Sequence, residues 1–174
     1  MLNCKISNGV SATCETSIGG ILKLAFANWD DSYVFTQSSG SCEVDTIDLG
    51  SEKIYEVNFL DGTGLAEVEL NVGDSRDKKN FTHRITLNFA KLDCNMLEQY
   101  KNWSLAHLIA FVQTKDGNVY VFGRNTGLAA TTFNYTSGSA ETDSSSINAV
   151  FEGVQLDEPI KLTGWDIVKA KFPA

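Results

Sequence analysis

The sequence predicts a mainly β protein: an antiparallel β-sandwich or half-barrel with one α-helix at about residues 94–103. Three observations lead there. Several segments alternate apolar and polar residues with a period of two, as strands with one buried and one wet face do. Glycine-containing turns separate those segments. One stretch alone carries apolar residues at helical spacing.

Taken in order, Ile21 to Ala27 places Leu22, Leu24 and Phe26 on one face. Cys42 to Ile47 sets Val44 and Thr46 against Glu43 and Asp45. Ile54 to Leu60 alternates Tyr55, Val57 and Phe59 with Glu56 and Asn58. Ala66 to Val72 alternates Ala66, Val68, Leu70 and Val72 with Glu67, Glu69 and Asn71. The glycines of Leu60-Asp61-Gly62-Thr63-Gly64 predict a hairpin between these two. Arg84 to Phe89 follows a polar loop, and the three strands are expected to form a meander. Asp93 can cap the helix, whose apolar residues are Met96, Leu97, Tyr100 and Trp103. Leu105 to Gln113 and Asn118 to Gly123 are apolar on both faces and flank the turn Lys115-Asp116-Gly117. They are expected to be the most buried hairpin. Ala130 to Tyr135 and Ile147 to Leu156 read as a last pair, joined through the polar stretch Ser137 to Ser146. Residues 1–163 are expected to form one domain. In the tail, 164–174, no core is evident for Trp165, Ile167, Val168 and Phe172, so it is read as a docking arm.

Composition narrows the functional classes. The chain has 174 residues, 43% hydrophobic and 21% charged, a globular balance sized for one domain. Lys plus Arg number 14 against 22 Asp plus Glu, a net charge of -8. That acidity argues against non-specific nucleic-acid binding and against docking on anionic lipid. No apolar stretch approaches membrane-spanning length, and Met1 to Thr16 does not resemble a signal peptide. Cys4, Cys14, Cys42 and Cys94 lack zinc-site spacing and are expected to be reduced and mostly buried. His107 lies in an apolar run and is expected in the core.

Catalytic sets are missing from the sequence. Gly62-Thr63-Gly64 lacks the third glycine of a dinucleotide loop and reads as a turn. Asp30-Asp31 reads as a solvated loop, since neighbouring side chains on extended backbone point apart. Ser137-Gly138-Ser139 lacks a nucleophile elbow. Trp29, Trp103 and Trp165 are scattered, which favours core packing over a sugar-stacking platform. The expectation is a protein that is no enzyme and has no catalytic residue, no cofactor and no metal.

The second half runs strand, Lys115-Asp116-Gly117-Asn118, strand, Gly123-Arg124-Asn125-Thr126-Gly127-Leu128, strand, Tyr135-Thr136-Ser137-Gly138, Asp143, and a last strand through Phe151-Glu152-Gly153. Earlier, Gly19-Gly20 leads into an apolar strand ending Ala27-Asn28-Trp29. Over residues 18–155 this arrangement resembles the tail-tube and ring-forming structural proteins of tailed bacteriophages, crAss-like phages among them. It departs from them after Asp143, where Ser144-Ser145-Ser146 replaces a Gly-Asp-x-Asn-Gly pattern.

The resemblance implies a tail-tube-like fold and a virion protein, assembled in the bacterial cytoplasm into rings or a tube through which DNA passes. Its partners would be copies of itself, in hexameric or dodecameric rings, and neighbouring tail or portal-proximal ring proteins. DNA would pass without sequence-specific binding, and no membrane is involved. Candidate interface residues are Arg76, Asp77, Lys78, Lys79, Ser137, Asp143 and Trp165. Candidate acidic lumen residues are Glu56, Glu67 and Glu69. The alternative is a carbohydrate-binding or adhesin-type β-sandwich module.

Overall fold

The computed structural model describes residues 18–37, 40–73, 79–89, 94–137 and 145–173, with the side chains of 94–97 left aside. The described elements are β1 (Ile21–Asn28), β2 (Val34–Gln37), β3 (Glu43–Asp48), β4 (Tyr55–Val57), β5 (Leu65–Val72), β6 (Lys79–Phe89), α1 (Cys94–Leu105), β7 (Leu108–Thr114), β8 (Val119–Phe122), β9 (Ala129–Thr136), β10 (Ser146–Gln155), β11 (Ile160–Leu162) and α2 (Trp165–Lys169). The expected mainly β sandwich is present. A seven-stranded sheet has the order β2-β3-β11-β8-β7-β1-β4, and a four-stranded sheet the order β5-β6-β10-β9. All pairings are antiparallel except β11 with β3.

The middle of the larger sheet is apolar on both faces because it is covered on both. Along β7, Leu108, Ala110 and Val112 face the four-stranded sheet, while Ile109 and Phe111 face away. Along β1, Leu24 and Phe26 share the first core and Ala25 and Ala27 the second. The inter-sheet core is completed by Ile85, Leu87 and Phe89 of β6 and by Ile147, Ala149 and Phe151 of β10. Burying a side chain such as Phe151 completely contributes roughly 1.5–3 kcal/mol. The second core gathers Val44, Ile47, Ile54, Val121 and Leu162 under α2.

The helix α1 packs against the first core. Tyr100 stacks on Phe133 of β9 with ring centroids 4.0 Å apart. Trp103 meets Phe26, Phe89 and Phe151 at 6.0, 6.1 and 5.7 Å. The proposed cap, Asp93, lies outside the described residues, and so do the side chains of Met96 and Leu97.

Several expectations need correction. The β5–β6 hairpin forms, but β4 joins β1 in the other sheet, so the three strands are no meander. Alternation fixes which side chains share a face and says nothing of which strand lies alongside. Leu60 to Gly64 therefore crosses between sheets, held by the Leu60 N–H on the Asn88 carbonyl at 2.9 Å. Leu22 is exposed and Ile21 buried, because the β1–β7 register shifts between Ile21 and Lys23. Cys42 is exposed. His107 is exposed, and the buried histidine is His83.

The tail also has a core. Trp165 retains only 8% of its surface, and Val168 is fully buried in the second core. Phe172 packs edge-on against Trp165, and the Ile54 N–H donates to the Lys171 carbonyl. Trp165 is therefore an internal packing residue, not an exposed interface side chain.

Candidate assembly surfaces

The four-stranded sheet carries two different faces. Its inner face is the apolar one already described. Its outer face is built from the alternate register rows. One row runs Glu67–Arg84–Glu152, a second Leu65–Thr86–Val150–Thr132, and a third Asn88–Asn148–Asn134. Glu69 pairs with Thr82 beside the first row. The surface is made of amides, hydroxyls and carboxylates with few apolar members. Asn148 Nδ2 donates to Asn88 Oδ1 at 2.9 Å, and Asn71 Nδ2 to Thr82 Oγ1 at 2.7 Å.

Its electrostatics centre on Arg84. The guanidinium Nε bonds Glu152 Oε2 at 2.7 Å, and that hydrogen bond raises the Arg84 pKa, helped by the charge of Glu152 and more weakly by Glu67 and Glu69. Three carboxylates surround one cation, so the patch is acidic overall. The pair is partly solvated, so its contribution to stability is small.

Of the lumen candidates, Glu67 and Glu69 lie together on this outer face, both exposed. Glu56 does not join them. It is exposed on β4, at the far edge of the other sheet, opposite Ala25. Lys79 opens β6 opposite Val72, at one end of the four-stranded sheet. Ser137 follows β9 at the other end, beside the Ser146–Thr136 pair. The described flanks of the two predicted contact loops thus lie at opposite ends of the sheet. Arg76, Asp77, Lys78 and Asp143 lie outside the described residues.

Among the described residues, both edges of this sheet lack a strand partner. β5 ends it on one side and β9 on the other, each eight residues long. On β5 the apolar stripe Val68, Leu70 and Val72 falls on the inner-face rows, yet these residues are 42%, 50% and 58% exposed. That half of β5 overhangs the larger sheet, so nothing within the described residues covers it. β9 carries no charged residue, only Ala, Thr, Phe, Asn and Tyr.

The residue that holds the β8–β9 turn was not legible in the sequence. Gln155 is 1% exposed and makes four hydrogen bonds. Its Oε1 accepts from the N–H groups of Asn125 (2.8 Å) and Thr126 (3.2 Å). Its Nε2 donates to Thr126 Oγ1 (2.8 Å) and the Gly127 carbonyl (2.9 Å). Gly123 and Gly127, at φ +79 and +76, bracket the turn in the left-handed region. Beneath it His83 is buried against Phe122, and its Nδ1 accepts the Gly123 N–H at 3.2 Å. Burial drives the imidazole pKa down to about 4, against a smaller opposing pull from the Asp157 backbone. A glutamine in a strand with no partner in view carries no periodic signal, so only the folded register reveals its role.

The three tryptophans sit apart. Trp29 is half-buried with its indole N–H on the Arg124 carbonyl at 2.8 Å, Trp103 lies among three phenyl rings, and Trp165 is in the second core. Among the described residues no three His, Cys, Asp or Glu side chains are grouped as cation ligands. Comparison with protein-family models, with curated proteins and with solved structures finds no match.

Proposed function

We propose that this protein is a structural subunit of a phage tail that closes into a ring or tube by joining its four-stranded sheet edge to edge. The observation that carries the reading is the pair of open edges of equal length, β5 and β9, at the two sides of one sheet. Open edges in isolated subunits are normally blunted, covered or paired. The sheet has an even number of antiparallel strands, so β5 and β9 run in opposite directions. Rotation about an axis keeps every copy in the same orientation. β9 of one copy then meets β5 of the next antiparallel, and the hydrogen-bond ladder continues without reversal. Such a contact is heterologous and closes by rotation. The uncharged β9 does not set like charge against Glu67 and Glu69.

In this reading the polar outer face lines the channel. Its amides, hydroxyls and carboxylates offer passing DNA no array of cations, and the net acidity repels phosphate over roughly 8–10 Å at physiological salt. The overhanging Val68, Leu70 and Val72 are covered by the neighbouring copy. The test is sedimentation velocity on the wild type and on Val68→Lys/Leu70→Lys. The wild type should sediment as a closed oligomer, and the double variant as a folded monomer with an unchanged circular dichroism spectrum. A monomeric wild type, or a variant that assembles as well as the wild type, sinks the reading.

A further inference from the structure

We propose that the groove between β4 and α1 binds an extended segment of another protein, one with apolar residues at alternate positions and Lys or Arg between them. This does not depend on the ring reading, because the groove borders the other sheet.

The groove encloses about 1190 Å³. Phe26, Phe89 and Trp103 are among its lining residues, and all three belong to the first core. Along one wall run six consecutive residues, Tyr55 to Leu60. A strand that shows a cavity one of its faces contributes alternate residues. Here all three residues of β4 border the groove, and Asn58 to Leu60 carry it past the strand's end. β4 is the terminal strand of its sheet on that side. The backbones of Asn58 and Phe59 make no hydrogen bond with the described residues. A strand laid beside them would find free donors and acceptors, the geometry of strand addition to an open edge.

Exposed apolar side chains stand at the mouth, among the amides of Asn58, Gln99 and Asn102. Tyr55 is 55% exposed, Leu60 38%, and Leu105, on the facing end of α1, 80%. Among the described lining residues Glu56 is the one carboxylate, and there is no Lys, Arg or His. Glu52 reinforces the negative rim through Asn28 Nδ2 at 3.4 Å. Charge complementarity thus selects a basic segment. It disfavours the unpaired edge strands of a second copy, since β5 carries Glu67 and Glu69 and β9 carries no cation. A glycan is disfavoured as well, because the Trp103 indole packs against Phe26, Phe89 and Phe151 of the first core.

The probe is an N-acetylated, C-amidated heptapeptide that alternates valine or leucine with lysine or threonine, labelled for fluorescence anisotropy. A benzophenone version locates it by photo-crosslinking and mass spectrometry. Crosslinks should fall within Tyr55–Leu60 and on α1. Leu105→Lys, at an exposed position, should weaken binding about tenfold, and so should replacing the peptide's lysines by glutamates. Backbone N-methylation at alternate peptide positions should have a similar effect. Crosslinks confined to β2, β5 or β9 would overturn the proposal. So would equal affinity for Leu105→Lys, displacement of the peptide by maltoheptaose, or occupation of the groove by a second copy at working concentration.

Discussion

The β8–β9 turn rests on a few side chains whose roles can be measured singly. A methyl group on Gly153 would overlap the Gly127 carbonyl oxygen, so the neighbouring turn must shift. Gly153→Ala should cost about 1–3 kcal/mol in urea unfolding, the usual range for forced overpacking. Gln155→Leu leaves the Asn125 and Thr126 N–H groups without their acceptor and should destabilise by about 1–3 kcal/mol. His83 links the same turn to pH. Its folded pKa, about 4, lies below the ordinary 6.5, so the unfolded chain binds the proton more readily in between. Its contribution is complete above pH 6.5 and is lost as pH falls through about 4. The acid form also protonates Nδ1 and forfeits the Gly123 hydrogen bond. Unfolding free energies measured from pH 7 to pH 4 should fall in the wild type more steeply than in His83→Gln. Equal slopes would remove His83 from the account.

Elements show where the sequence was readable. The alternation in Arg84–Phe89 reported the buried face correctly, because a full sheet lies opposite it. The same alternation in Ala66–Val72 reported the right face and the wrong environment. Period two reveals which side chains point together, and Val68, Leu70 and Val72 point together past the end of the opposing sheet. The double apolarity of Leu108–Val112 marked the hairpin with cores on both sides. The tail was opaque because α2 has five residues, too few for a helical period to register, and its partners Val44, Ile47 and Ile54 are distant in sequence. Trp165→Ala should therefore cost about 3–5 kcal/mol, as a buried large aromatic does. Thermal unfolding checks this. An unchanged midpoint would restore the docking-arm reading.

For the whole molecule, the acidity that first served only to exclude partners has a partly defined location. Glu67, Glu69 and Glu152 share the outer face of the four-stranded sheet with Arg84, while Glu56 stands on a different sheet. In the proposed ring, copies of the chain would pair the two edges that lack a partner among the described residues. Glycine-rich turns and alternating strands made the fold class legible. The edges were not legible, because a strand's place at the border of a sheet is a property of its neighbours. If the acidic face lines a channel, Glu67→Lys/Glu69→Lys should assemble normally and slow DNA ejection from reconstituted particles. Unchanged ejection kinetics would separate the acidity from any role in DNA passage.

Negative-stain electron microscopy of the purified protein tests the central claim most directly. Closed rings or stacked tubes of uniform diameter are expected, and they should disappear when Val68 and Leu70 are both replaced by lysine. Isolated particles of single-subunit size at every protein concentration would contradict it.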